Sequence, residues 1–504
     1  MKRISIILST IAVSLFASSC KEELPRIPEL DPATKELILT DKCLSTDFVG
    51  NGAQWGGYES ISTWLGGDND LSEADWNKLF ERVDYLRPPF IRLMVNKGSY
   101  MDGDTFVADK NVPLLKILDY CQRNGIEVTF GEWGHEYSGD TGTIDKAWLT
   151  NSVKYLAYLV QERGFTCIKT LNIVNEPNGE WSTTKGDYSL WKNIQTVYLA
   201  ECQANNINIP LMGPDVAVFE GTNELSWFSN TAKDLNDKVG LYDLHVYPKQ
   251  LIVRNGDYTE MLKSYKAVLP ADKRVVLGEV GFKYTEVDAD LKARNEAAIE
   301  ADPFAGEDSN MMVYEGFYGI DMADALIQSM MAGYSGGLIW MMDDAMYIDP
   351  VGSDYTVKKL KRWGFWNSLG AELCNDESDE DIRPYFYTSS LLCRYFPAGS
   401  DIYEVKLPNK KGLRAIMAKK DGKYSIAIVN SHYTTYDITL KSDHVGSLTA
   451  DLYTYQSNAD GSFTGKVDAK GLATPSQSGA NYNFSAGVDM KIEGESFILI
   501  TNIQ

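Results

Sequence analysis

The sequence predicts an α/β chain, a (β/α)8 TIM barrel followed by a C-terminal antiparallel β-sandwich, and three observations carry that prediction. Short apolar runs suited to buried parallel strands alternate with stretches of helical period from about residue 45 to 397. The runs number eight, which fits a closed barrel better than an open doubly wound sheet. From Asp401 onward the texture changes to short alternating runs broken by tight turns, the pattern of a sandwich over 398–504.

The amino-terminal stretch has a different character. Lys2 and Arg3 precede the apolar run Ile4 to Ala17, the length of a secretory signal core and short for a bilayer span. Ala17-Ser18-Ser19-Cys20 then resembles a bacterial lipoprotein cleavage site, with Cys20 the residue to be lipidated, although the usual leucine three places before it is Ala17 here. Residues 1–20 are thus expected to act as a lipoprotein signal and 21–44 as a polar tether containing Lys21-Glu22-Glu23, Pro25 and Pro28. This implies an exported protein, lipid-anchored to the outer membrane and displayed at the cell surface; the alternative is a plain cleaved signal with an unmodified cysteine. Beyond this run no stretch reaches the 18 or so apolar residues of a membrane helix. Cys43, Cys121, Cys167, Cys202, Cys374 and Cys393 show no paired spacing and read as core thiols, with Cys374 to Cys393 the one disulfide considered.

Within 45–397 the expected strands are Phe48 to Gln54, Phe90 to Val95, Ile126 to Gly131, Cys167 to Val174, Ile209 to Gly213, Leu241 to Tyr247, Arg274 to Glu279 and Gly337 to Met342. Ser72 stands where it can cap a helix whose inner face is Trp76, Leu79, Phe80 and Val83. Val153, Leu156, Ala157 and Val160 mark another helix, stopped at Gly164. In the sandwich the expected strands are Asp401 to Val405, Leu413 to Lys419, Tyr424 to Asn430, Asp437 to Lys441, Leu448 to Tyr455 and Ser496 to Asn502, with a hairpin turn at Asp421-Gly422.

Two of the barrel strands end in a carboxylate. The fourth runs into Asn175-Glu176-Pro177-Asn178, and the seventh ends Leu277-Gly278-Glu279. An acidic side chain at the end of a buried strand is costly unless it is paired or does chemistry, and a barrel places its reacting groups at those ends. Formal charge is −22, from 48 Lys and Arg against 70 Asp and Glu, a field that disfavours nucleic acid and acidic substrates. Aromatic residues at 12% supply stacking platforms as well as core, which suits a neutral substrate with apolar faces.

With Asn175-Glu176-Pro177 on strand four and Glu279 on strand seven, the chain resembles clan A of the glycoside hydrolases. Arg92 on strand two, His245-Val246-Tyr247 on strand six and Trp340 on strand eight match further motifs of that clan, and the barrel with its appended sandwich is reminiscent of families 5, 30 and 39. The resemblance implies a retaining O-glycosyl hydrolase acting on β-linkages, with Glu176 as acid and base and Glu279 as nucleophile. It further implies that Arg92 and Tyr247 keep Glu279 ionised, that Asn175 meets the sugar 2-hydroxyl, that Trp340 lies under the sugar, and that His245 orients a neighbour or a hydroxyl.

Around these, Trp133, His135, Trp181 and Asp343 follow strand ends and are expected to contact substrate. Glu132, His135 and Glu136 could suggest a metal site, but two carboxylates suffice for the reaction, and neither metal nor cofactor is expected. The polar insert Lys283 to Asn310 is a candidate cleft wall. The expected activity is cleavage of a neutral β-linked polysaccharide, first as an endo-β-glucanase. The alternatives are an exo-acting β-glycosidase, a mannanase or xylanase of the same clan, or a surface glycan-binding lipoprotein without catalysis. The expected partner is a polysaccharide or oligosaccharide, with no nucleic acid and membrane contact only through the anchor.

Overall fold

The computed structural model describes residues 34–59, 71–134, 144–218, 224–348 and 359–504. Eight parallel strands close into a barrel in chain order: Gly50–Gln54, Phe90–Val95, Glu127–Glu132, Ile168–Ile173, Leu211–Val218, Val239–Val246, Val275–Val280 and Gly336–Ile339. Each falls on an expected run, because strands covered on both faces read as continuous apolar stretches. Ser72 caps the Glu73–Leu86 helix in a reciprocal box with Asp75, and Trp76, Leu79 and Val83 are its buried face. The Lys146–Ala157 helix continues through a π turn at Tyr158–Glu162 and stops before Gly164, whose φ of 72° lies in the left-handed region.

Inside the barrel the chemistry changes with height. Val49, Phe90, Met212, Leu241, Val276 and Leu338, near the strand starts, form an apolar plug. Above it, towards the strand ends, the interior carries Arg92, Asn172, Asp215, Asp243, His245 and Glu279, all buried. A rigid base thus supports a polar layer.

The second domain is a ten-stranded sheet. Its main path runs Phe463–Gly465, Ser447–Ser457, Ser496–Thr501, Lys423–Asn430, Leu413–Lys420, Asp401–Lys406, Glu36–Ser45, Tyr436–Lys441 and Val488–Ile492, with Gln477–Asn483 also paired to Ser447–Ser457. Residues from both ends of this path, Ile438, Leu440 and Ile492 from one and Leu448, Ala450 and Tyr482 from the other, meet in a single core, so the sheet curls over itself as a sandwich. Neighbouring strands are antiparallel except where Glu36–Ser45 lies parallel to Tyr436–Lys441.

The first strand corrects the expected tether. Residues 36–44 are not a linker but the start of the sandwich: Glu36–Ser45 pairs with Asp401–Lys406 on one side and Tyr436–Lys441 on the other, burying Leu37 and Leu39. Cys374 and Cys393 are both free thiols, so the one disulfide considered does not form, and of the thiols read as core Cys43 is exposed and Cys374 half-buried.

Alternate residues of the central strands serve different cores. Ala415, Met417, Ile426, Ile428, Ile498 and Ile500 fill the sandwich, while Ile416, Ala418, Ala427, Val429, Phe497 and Leu499 join the core of the barrel. Between the domains lies the Gly316–Met331 helix, buried along nearly its whole length, Asp321, Asp324 and Gln328 included. These polar groups are matched across the junction. Arg414 donates to Asp324 at 3.1 Å and Ser431 does so at 2.7 Å, while Arg254 pairs with Asp321 and Glu495, each at 2.7 Å.

Burial raises the Asp324 carboxyl above its usual value while Arg414 opposes that shift, so the pair is needed to keep the charge inside. Arg414→Met should therefore cost about 3–5 kcal/mol of stability in denaturant unfolding. Arg414→Met with Asp324→Leu should regain most of it. Loss of less than about 1 kcal/mol in the single variant would show that this pair does not hold the junction.

Candidate active site

Strand four ends in an unusual backbone path. Val174 and Glu176 both adopt positive φ, 72° and 46°, a region that costs a β-branched residue about 1–3 kcal/mol. The surroundings hold the path in place. Val174 N–H donates to Glu132 O at 3.1 Å, Asn175 N–H to Trp133 O at 3.2 Å, and Glu176 N–H to Asp215 Oδ2 at 3.2 Å. Asn175 and Glu176 are thereby aimed into the barrel mouth.

Beneath them sits Arg92, fully buried on strand two. Its Nη1 donates to Glu279 Oε1 at 2.6 Å and to Gln54 Oε1 at 3.2 Å. Its Nη2 donates to Asn175 Oδ1 at 2.7 Å, Asn172 Oδ1 at 3.0 Å and Asp215 Oδ2 at 3.2 Å. Burial works against this charge, but Asp215, Glu279 and Asp243 more than offset it and raise the pKa further. Arg92 is a permanent cation.

Glu279 is completed by Tyr247, whose hydroxyl donates to Oε2 at 2.5 Å. Burial, then the neighbouring Glu279, raise the Tyr247 pKa well above its ordinary value, so it remains a donor. Burial pushes the Glu279 carboxyl up, while His245, Arg92 and the Tyr247 hydrogen bond pull it down and Glu176 pushes it up; the net direction is upward.

His245 joins the two carboxylates from below. Its Nδ1 is 3.0 Å from Glu176 Oε1 and 3.5 Å from Glu279 Oε2, and its Nε2 is 2.7 Å from Asp215 Oδ1. Burial opposes charge on this ring, yet Asp215 and Glu279 outweigh it and the pKa lies well above the ordinary histidine value. The imidazolium donates from both nitrogens. Burial likewise opposes charge on Asp215, but His245 and Arg92 hold its carboxyl well below the usual range. Burial and the charge of Asp215 drive the Asp243 carboxyl well upward. Only a glycine lets strand seven pass this column, because a Cβ at Gly278 would lie 2.3 Å from Asp243 Oδ2.

Carboxylate oxygens of Glu176 and Glu279 lie within 4.8 Å of one another. Above them is a cleft lined by Trp133, Asn175, Tyr247, Trp340 and Tyr347. Trp340 stacks on Tyr347 with centroids 5.7 Å apart and an interplanar angle of 3°, and Trp133 meets both edge-on. On the outer side Trp181, 58% exposed, donates its indole N–H to Glu176 Oε2 at 2.9 Å.

The structure thus brings Glu176, Glu279, Arg92, Asn175, His245, Tyr247, Trp340, Trp133 and Trp181 together. Two roles change. Arg92 and His245 are sealed beneath the carboxylates and act through them rather than on a substrate. Asp343 is a correction: it is fully buried, accepts from Tyr58 and from the Ser368 hydroxyl and backbone N–H, and faces the wall of the barrel instead of the cleft. His135 and Cys20 lie outside the described residues. Asp215, Asp243, Asn172 and Gln54 escaped the sequence reading. Asp215 lies two residues past the expected run Ile209 to Gly213, inside the observed strand Leu211–Val218.

Two groups of atoms are close enough to hold an ion, Glu176, His245 and Glu279, and Asp215, Asp243 and His245. In either group a metal would have to displace a proton from the His245 ring, whose charged form the surrounding carboxylates favour.

No family model matches the sequence, and no curated protein matches it. Solved structures do match in fold. A family 30 endoxylanase from Clostridium papyrosolvens C71 superposes with a TM-score of 0.59 at 15% identity, over 94% of this chain and 100% of that one. An α-L-arabinofuranosidase from Thermotoga maritima gives 0.62 at 13% identity, over 93% and 99%, and a family 39 β-xylosidase from Caulobacter crescentus 0.57 at 13%, over 93% and 99%. The barrel with its appended sheet domain is therefore the architecture of known glycoside hydrolases.

The charge on His245 is measurable. Its ring should be found protonated by nitrogen NMR where a free histidine is neutral, and Asp215→Asn should lower its pKa. A neutral ring at pH 7 in the unaltered protein would overturn this charge pattern.

Proposed function

We propose that the protein is a retaining β-glycoside hydrolase working by double displacement. One observation carries this reading: the facing oxygens of Glu176 and Glu279 are within 4.8 Å, near the roughly 5–5.5 Å carboxyl spacing of direct attack and short of the roughly 6.5–9.5 Å needed to admit a water. Glu279 attacks the anomeric carbon while Glu176 gives its proton to the leaving oxygen; Glu176 then takes a proton from the incoming water, which displaces Glu279.

Arg92 and Tyr247 hold the two oxygens of Glu279 and so fix the line of attack. Asn175 gives its carbonyl to Arg92, which leaves its amide N–H groups for the sugar 2-hydroxyl, a contact that strengthens as charge builds on the ring. The Trp340–Tyr347 stack is the platform for that ring. Glycosidic cleavage in proteins of this fold, the endoxylanase and β-xylosidase among them, supports the same reading. A β-glucan is the first substrate to test, with xylan and mannan beside it. The complete Arg92, Glu176 and Glu279 set speaks against a binding protein without catalysis.

We also propose export with lipid attachment at Cys20, supported by the apolar run and the Ala17-Ser18-Ser19-Cys20 sequence before it. Cys20→Ala should move the protein from the membrane fraction to the soluble one and abolish incorporation of labelled fatty acid. Unlabelled, soluble wild-type protein would sink the anchor.

Glu176→Ala should lower turnover on glycans by several orders of magnitude and lose less on aryl glycosides whose leaving group needs no proton, with partial recovery on adding azide. A 2-fluoro sugar with a good leaving group should label Glu279, and proton NMR should show the β-anomer as the first product. The α-anomer appearing first would mean inversion and refute the double displacement.

A further inference from the structure

Glu176 must serve twice in the proposed reaction, and with opposite charge. It gives its proton to the leaving oxygen as the anomeric carbon passes to Glu279, and is left a carboxylate; it then takes a proton from the water that frees Glu279. Whatever touches its two oxygens bears on how easily the proton moves. Oε1 faces His245 Nδ1 at 3.0 Å, and Oε2 accepts the indole N–H of Trp181 at 2.9 Å. The second contact calls for a reason, because the Trp181 ring is largely exposed and its N–H could as well be met by water.

The loop that carries Trp181 is built to bring the indole to that oxygen. Its turns are closed by backbone hydrogen bonds, Gly179 N–H to Glu176 O at 3.0 Å, Ser182 N–H to Gly179 O at 3.1 Å and Gly186 N–H to Pro177 O at 3.1 Å. Asn178 fastens it to the Leu211–Val218 strand, donating to Ala217 O at 2.7 Å and accepting from Ala217 N–H at 2.9 Å. Residue 179 has to be glycine for the ring to lie back over the loop, since a Cβ there would come 2.3 Å from Trp181 Cε2 and 2.4 Å from Cζ2. Sequence and loop geometry thus combine to place one N–H on one carboxylate oxygen.

An indole N–H is a donor that can neither accept nor titrate. Its bond to a carboxylate is charge-assisted, and stronger than its bond to the neutral acid. The contact therefore tightens as the proton leaves Glu176 and slackens as it returns, and an interaction speeds a step only when it grows towards the transition state. We propose that Trp181 is a positioning residue for the acid: its N–H holds Glu176 Oε2 and favours transfer of the proton to the leaving oxygen in the first half of the reaction. A ring that served only as a platform for sugar would have no such effect. The inference rests on the acid and base role given to Glu176 above.

Trp181→Phe keeps an aromatic face and removes the N–H. The probes are a phenyl and a dinitrophenyl β-glycoside of one sugar, glucose, xylose or mannose, singly or as the disaccharide, whichever the unaltered protein cleaves fastest. Phenol needs the proton to leave and dinitrophenol does not, so the ratio of kcat/KM for phenyl over dinitrophenyl reads the acid alone. That ratio should fall about tenfold in Trp181→Phe. Gly179→Ala keeps the N–H but pushes the ring off Oε2, and should lower the ratio as well. In nitrogen–proton NMR the Trp181 indole signal, assigned by its absence from Trp181→Phe, should move on Glu176→Ala. An indole signal that ignores Glu176→Ala would overturn the proposal. So would a ratio in Trp181→Phe within about twofold of the unaltered protein's, whatever the loss on either probe, because the ring would then be a platform only. Should that happen while Glu176→Ala lowers the ratio, the acid stands and the role of Trp181 alone falls; should Glu176→Ala keep the ratio too, the reading of Glu176 as the acid falls and this role with it.

Discussion

A guanidinium sealed inside a protein must be surrounded by acceptors, and Arg92 imposes this demand on half the barrel. Gln54 answers from strand one, Asn172 and Asn175 from strand four and just beyond it, Asp215 from strand five and Glu279 from strand seven. Each must reach the same point, which fixes the relative height of those strands. A second cation, His245, faces Asp215, Glu176 and Glu279. Two cations, Arg92 and His245, thus stand among Asp215 and Glu279. The two glutamates are held differently. Glu279 is gripped at both oxygens by a permanent cation and a phenol, whereas Glu176 touches a histidine ring and an exposed indole.

The scaffold beneath is built to resist movement. An apolar plug closes the lower barrel, and the sheet domain gives one face of its central strands to the barrel core. Because side chains alternate along a strand, the same strand can serve two cores at once, and neither can be repacked without the other. The Gly316–Met331 helix, trapped between them, carries Asp324, which accepts from Arg414 and Ser431 of the far domain. Barrel and sheet are thus one mechanical unit, which suits a site whose reacting oxygens must be held within a few tenths of an ångström.

Much of this was legible in the sequence. Eight buried strands announce themselves as apolar runs, and Glu176 and Glu279 stand out because each terminates one. What stayed hidden has physical causes. Asp243 lies inside the run Leu241-Tyr242-Asp243-Leu244, where one buried acid among apolar residues leaves no mark in the pattern. Asp343 has the right position after strand eight to be taken for a rim residue, but the chain there turns its carboxyl inward to the N–H groups of Ala345 and Ser368. Glu36–Ser45 was taken for tether because its partners lie far along the chain, and Phe463–Gly465, Gln477–Asn483 and Val488–Ile492 were missed because largely exposed strands carry a weak apolar signal.

That first strand has a consequence for how the molecule comes into being. Thr40 donates to the carbonyl of Glu404, a partner 364 residues later, and the strand on its other side, Tyr436–Lys441, follows later still. Contacts of such span close last, since the entropy of bringing distant segments together must be met before any of them is rewarded. A chain emerging from its amino terminus has to carry Leu37 and Leu39 as bare, unpaired edge until nearly all of it has been made. From the making of the last barrel strand, Gly336–Ile339, until that of Asp401–Lys406, the protein is therefore a barrel with one sticky loose end.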